Sequence, residues 1–196
     1  MRILLLARHG QSLFNVEGIV NGDPALDRGL SPLGVTEAAH LAGQLAALAI
    51  DLCVTSEFPR AKDTARLALG ERAEATATIV DPGLNDVRIG ELEGESLDAY
   101  RAWKHAHPAG AAFPGGESLG DAARRYADAF ERLLGRPEEA VLCVCHEIPV
   151  RYAVNAAQGS DQLDGPIHDV RNASPYLFDA PGLGRAIPRL RELAGP

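Results

Sequence analysis

Two stretches of this chain are apolar without interruption, Ile3 to Ala7 and Ala140 to Cys145. Continuous apolar character suits strands covered on both faces, as in a parallel sheet flanked by helices. Each run ends abruptly in polar residues: Arg8, His9 and Gly10 after the first, His146 after the second. Shorter runs at Leu52–Thr55 and Thr76–Val80 predict two further strands, and Tyr176–Phe178 an edge strand. Helical signals lie between them. Ser31 and Pro32 supply a cap and a first helical residue for a helix to about Ala49. Ser56 opens another, with Pro59 in its first turn and Gly70 as its stop. A short helix capped by Ser96 carries Leu97, Tyr100 and Trp103. The clearest periodicity follows Ser118, where Asp121 stands three residues on as in a capping box, and apolar positions from Leu119 to Leu134 recur with a 3.6-residue period. A last helix spans about Ile148–Ala157. Residues 11–30 and 81–94 read as loops, and the Gly/Pro-rich tail after Pro181 predicts no element.

Strands alternating with helices predict a three-layer α/β/α sandwich around a central, mostly parallel sheet. The expected organisation is one domain over residues 1–196, with a small helical insertion at about 95–135. A chain of 196 residues with 46% hydrophobic and 23% charged positions can bury an ordinary globular core. No apolar run has the length of a membrane span, and Arg8 comes too early for a signal peptide, so a cytoplasmic location is expected. The three cysteines make no disulfide framework and suit core positions. A net charge of −8 argues against broad nucleic-acid binding, because phosphate backbones reward basic surfaces. It leaves room for a small anion held by a local cluster of arginines.

Such a cluster emerges from the strand order. Arg8 and His9, Arg60 and His146 all follow predicted strand ends, and in open α/β sheets ligands bind beyond the carboxyl ends of the strands. Two arginines and two histidines suit a phosphoryl group, whose oxygens accept from guanidinium forks. The start of the helix bearing Arg60 would add oriented N–H groups and a positive dipole end. No phosphate-binding loop of the nucleotide-triphosphatase type is present, and no metal motif, so neither a metal nor another cofactor is expected. Phosphoryl transfer then needs a nucleophile, positive charge on the oxygens and an acid for the leaving group. A neutral His9 with one ring nitrogen oriented by a hydrogen bond can attack phosphorus.

The run Arg8, His9, Gly10, Gln11, Ser12 and Asn15 resembles the signature of the histidine phosphatase superfamily, which includes cofactor-dependent phosphoglycerate mutases and many small phosphatases. Similar matches follow in the family's order: Leu30, Ser31, Gly34 and Glu37; Ser56, Arg60, Ala61 and Thr64; Gly115, Gly116, Glu117 and Ser118; His146 with Arg151. The resemblance implies that His9 is the nucleophile. Arg8, Arg60 and His146 would hold the phosphoryl oxygens, with Asn15, Gly10 and Gln11 on the substrate side. It also implies metal-independent hydrolysis of a small phosphorylated metabolite through a phosphohistidine. The general acid of the family is usually a Glu. Aligning Gly90, Glu93 and Gly94 puts Asp86 in that slot, one methylene shorter, with Glu91 as a second candidate.

A second departure is Glu147, where the family usually has Gly. A carboxylate beside a phosphate pocket repels the ligand if it points inward. The expectation is that it points away, or meets a cationic part of the substrate. Three alternatives remain open. A phosphoglycerate mutase-type phosphotransferase would need extra basic residues after the acid segment, and those between Glu95 and Gly116 do not reproduce that pattern. A non-catalytic anion-binding protein would explain both departures. A cysteine-based phosphatase is suggested by Cys145 and Arg151 at the right spacing, but Pro149 removes a backbone donor from that loop and Arg8, His9 and Arg60 are left unexplained.

Overall fold

A computed structural model describes residues 1–195. Five strands, β1 (Ile3–Arg8), β2 (Leu52–Thr55), β3 (Ala77–Val80), β4 (Ala140–Cys145) and β5 (Pro175–Asp179), form one sheet in the order β3-β2-β4-β1-β5. The first four are parallel and β5 runs antiparallel against β1. The apolar runs have the predicted cause. Leu4 and Leu6 of β1, with Val141, Cys143 and Cys145 of β4, enter the core on one face. Leu5 and Ala7, with Leu142 and Val144, enter the core on the other. Successive side chains in a strand point to opposite faces, so a strand in the middle layer needs apolar residues at every position. All three cysteines are buried and free.

Helices α2 (Pro32–Leu45) and α3 (Pro59–Leu69) cover one face, packing on each other and supplying Leu41, Leu45, Ala61, Ala65 and Ala68 to its core. On the other face lie α5 (Leu119–Leu134), α6 (Glu147–Ala157) and α7 (Ala180–Ala194). The sandwich is therefore the three-layer α/β/α arrangement read from the sequence. Two short helices stand outside these layers: α1 (Leu13–Glu17) and α4 (Leu97–Ala106). No helix of the described residues is long and apolar enough to cross a membrane.

Two sequence expectations need correction, and the tail, on which the sequence is uninformative, takes a definite form. The tail is a helix, α7, capped by Asp179 and started by a proline, with Leu183, Ala186, Ile187, Leu190 and Ala194 buried. Its prolines and glycines masked that period, and docking against α5 and α6 holds the helix despite Pro188 in its interior. Helix α1 arises within a stretch read as loop, because Ser12 and Asn15 form a reciprocal capping box. Helix α2 stops at Leu45 rather than near Ala49.

Candidate active site

The carboxyl ends of β1, β2 and β4 open into one cavity of about 290 Å3. Arg8 ends β1 and His9 follows it. The His9 N–H still donates to the Cys145 carbonyl at 2.9 Å, and the His9 carbonyl accepts from Asn172 Nδ2 at 2.8 Å. The sheet thus fixes the backbone of His9 from both sides. Gly10 then turns the chain under α2: its N–H donates to Thr64 Oγ1, and a Cβ there would lie 2.5 Å from the Gly34 carbonyl oxygen. Only glycine admits this approach of two backbones.

The His9 ring has a defined tautomer. Its Nδ1 lies 2.7 Å from the Gly10 carbonyl, which accepts only, so Nδ1 carries the proton and Nε2 the lone pair. Arg60 Nε, which donates only, lies 3.0 Å from that Nε2 and is consistent with the assignment. Burial first, then the charges of Arg60 and Arg8, hold His9 well below the usual histidine range. His146 caps α6 and is completely buried. Arg60 Nη2 donates to its Nδ1 at 3.3 Å, which places the proton on Nε2, 2.9 Å from Ser56 Oγ. Its pKa too is pushed well down, by burial and by Arg60. The two rings stand edge-on, 5.3 Å apart. His9 thus turns a free electron pair toward Arg60 at the cavity, whereas His146 does not line the cavity and lies buried behind Arg60.

Arg60 is the hub of the site. Besides the two histidines it donates to Asn21 Oδ1 at 2.5 Å and to the Asn21 carbonyl at 3.2 Å, and it lies over the Phe58 ring. Asp27, whose side chain is fully buried, accepts from the Arg60 N–H at 2.8 Å and pairs with its Nη1 at 3.3 Å. This corrects the expectation for α3. Pro59 has no N–H, that of Arg60 goes to Asp27, and those of Ala61 and Lys62 go to the Phe58 carbonyl. The helix start is already satisfied, so the guanidinium, not the helix end, faces the cavity.

Opposite the histidines stands Asp86. Its Oδ1 accepts from the Val87 N–H, and its Oδ2 lies 3.5 Å from both Arg60 Nη2 and His146 Nδ1. Burial outweighs the arginine and raises its pKa above the ordinary carboxylate value. The segment carrying it is held from behind. Buried Glu117 accepts from the Arg88 N–H and pairs with Arg125, which also donates to the carbonyls of Gly83, Asn85 and Asp86. Glu91 is exposed on the outer side of this loop and does not line the cavity.

Of the residues expected on the substrate side, Asn15 lines the cavity. Its Oδ1 is used in capping α1, which leaves its Nδ2 without a protein partner among the described residues. Gly10 and Gln11 do not line it. Gln11 accepts from Ser31 Oγ through its side chain, while its N–H donates to Glu37 and its carbonyl accepts from the Ser31 N–H. Glu147 does not point away. It lines the cavity and pairs with Arg8 Nη1 at 2.9 Å and Arg151 Nη1 at 3.1 Å. Sequence reasoning missed Asp27 and Arg125. Neither carries a local signal, because the partners of each are distant in the chain.

The fold and this cradle define a family, and comparison with known proteins agrees. A family model described as histidine phosphatase superfamily (branch 1) matches residues 4–192, and the chain belongs to that family. Among curated relatives, a 2,3-bisphosphoglycerate-dependent phosphoglycerate mutase of Methylobacterium sp. is 37% identical over 136 residues, 63% of this chain and 64% of that protein. The match thus spans just under two thirds of that relative's length. A mutase of the same description from Brucella melitensis is 33% identical over 81% of this chain and 82% of its own. Among solved structures, the mycobacterial glucosyl-3-phosphoglycerate phosphatase Rv2419c in complex with VO3 is 31% identical with a TM-score of 0.74, over 90% of this chain and 92% of that one. Bacillus stearothermophilus YhfR is 27% identical with a TM-score of 0.79, over 90% of each.

Proposed function

We propose that the chain hydrolyses phosphomonoesters of small molecules through a phosphohistidine on Nε2 of His9. The observation that carries this reading is the His9 tautomer: Nδ1–H is fixed on Gly10, and the lone pair of Nε2 faces Arg60. An entering phosphoryl group offers the guanidinium anionic acceptors in place of that lone pair, which frees Nε2 to attack. Arg8 and Arg60 border the non-bridging oxygens and Asn15 Nδ2 adds a donor, while His146, buried behind them, accepts from Arg60 and orients that guanidinium. As the N–P bond forms and the ester P–O bond breaks, Asp86 gives its proton to the departing alkoxide. The Asp86 carboxylate then takes a proton from water, whose oxygen attacks phosphorus and breaks the N–P bond. A carboxyl with a raised pKa suits both halves of this cycle.

The curated relatives named as mutases support a second reading, transfer to another hydroxyl instead of water. Hydrolysis is favoured by the structural resemblance to phosphatases and by the paired state of the cations at the mouth. Brief exposure to a 32P-labelled phosphomonoester followed by an alkaline quench should yield acid-labile, alkali-stable label on the wild type and none on His9→Ala. Absence of label on the wild type, or its persistence in His9→Ala, contradicts the mechanism.

A further inference from the structure

The mouth of the cavity is rich in cations, yet each has a carboxylate partner. Glu147 bridges Arg8 and Arg151. Arg151 also pairs with Asp164 at 2.7 Å, and Asp164 with Lys104 at 2.9 Å. Arg101 faces Asp98 on the surface at 3.6 Å. The side chain of Arg151 is only 10% exposed and that of Glu147 33%, so the bridge lies at the wall rather than in bulk solvent. The lining also includes the apolar side chains of Phe14, Ile19, Leu97 and Ile148.

We infer that Glu147 is a specificity residue: by engaging Arg8 and Arg151 together it excludes substrates with a second anionic group beside the phosphate, and selects phosphate esters of uncharged alcohols. The inference rests on the hydrolase reading for its substrate, though not for its charge argument. A phosphoryl group in the cradle adds acceptors to Arg8 without needing Arg151. A carboxylate a few bonds away from that phosphorus would need Arg151, and would reach it beside the Glu147 carboxylate. Arg151 already carries Glu147 and Asp164, so a third carboxylate at this half-buried wall is repelled, and Glu147, which also holds Arg8, stands nearest the phosphate. An uncharged alcohol meets no such cost and covers the apolar residues. The discrimination is thus made by repulsion as much as by attraction.

A matched pair of phosphonates, which cannot be hydrolysed, isolates this effect: propylphosphonate and 3-phosphonopropanoate differ only by a carboxylate. Calorimetric titration of the wild type should show the carboxylated ligand binding more weakly by about tenfold or more, equivalent to about 1.4 kcal/mol. Glu147→Gln keeps the shape and removes the charge, and should narrow that gap, with Asp164 still on Arg151. Glu147→Asp keeps the charge and should retain the preference. Equal affinities in the wild type, or a gap unchanged in Glu147→Gln, overturn the inference. Because neither ligand turns over, a protein that shows this discrimination yet forms no phosphohistidine would disprove the hydrolase reading alone.

Discussion

The floor of the cavity and its mouth are built differently. Floor residues sit directly after strands or, for Arg60, in the first turn of α3, and each side chain is held by several bonds: His9 through Gly10 and Arg60, His146 through Ser56 and Arg60, Arg60 through Asp27 and Asn21. Mouth residues come from a loop, from α4 and from the first turns of α6, and are tied to one another by ion pairs. Where the chemistry demands one geometry, the protein uses the sheet. Where different organic groups must be told apart, it uses charges on elements that can change without disturbing the sheet.

If that division holds, the floor should be the costlier place to cut. Arg60→Ala removes the donor that links both histidines and should lower kcat/KM by about 10²–10³, the usual cost of one transition-state donor. Wild-type turnover in this variant would break the comparison at its centre. Asp86 stands between floor and mouth, and its effect should depend on the leaving group. For alkyl phosphates Asp86→Asn should cost about 10²-fold in rate, the lower range for a lost general acid. For p-nitrophenyl phosphate, whose leaving group needs no proton, phosphohistidine should still form rapidly and then accumulate. Rapid-quench measurements giving equal losses on both substrates would remove the acid role from Asp86.

A smaller effect concerns stability. His9 and His146 have native pKa values below the ordinary 6.5, so the unfolded chain binds more protons than the native one once pH falls through that value. Their contribution is complete above about pH 6.5 and is lost as the pH drops below it. Asp86, with its pKa raised, acts in the opposite sense: its native proton favours the fold at low pH, and this gain fades as pH rises through its native pKa. In urea unfolding between about pH 7 and pH 5, His9→Gln should flatten the pH dependence by up to about 1.4 kcal/mol per pH unit, the limit for one proton. An unchanged slope would mean that His9 titrates alike in the native and unfolded states, against the downward shift.

The same division explains what was legible in the sequence. The strands β1 and β4 declare themselves, because two-sided burial forces unbroken apolar runs, and the residues that end them are then read as site residues. The caps Ser31 and Ser118 are local signals of the same kind. Asp27 reads only as a loop aspartate until α3 brings Arg60 to it. Arg125 looks like an exposed helical arginine until Glu117 and the carbonyls of 83–86 surround it. Glu147 was visible as an anomaly, but its direction depends on Arg8 and Arg151 together, and only the latter is on its own helix. Helix α7 was hidden because its stability comes from docking rather than from composition.

The ladder between β1 and β4 carries a further meaning. Arg8 pairs with Cys145 at its last step, so His9 and His146 are the next residues out on two adjacent strands. Their relation is therefore indexed by a single pairing register, not by the length of chain between them. Loops and helices of the intervening segment can lengthen or shorten while the histidines stay abreast. A slip of one residue in that pairing would instead set His9 beside Glu147 or Cys145, and it would turn every side chain of the slipped strand to the wrong face of the sheet.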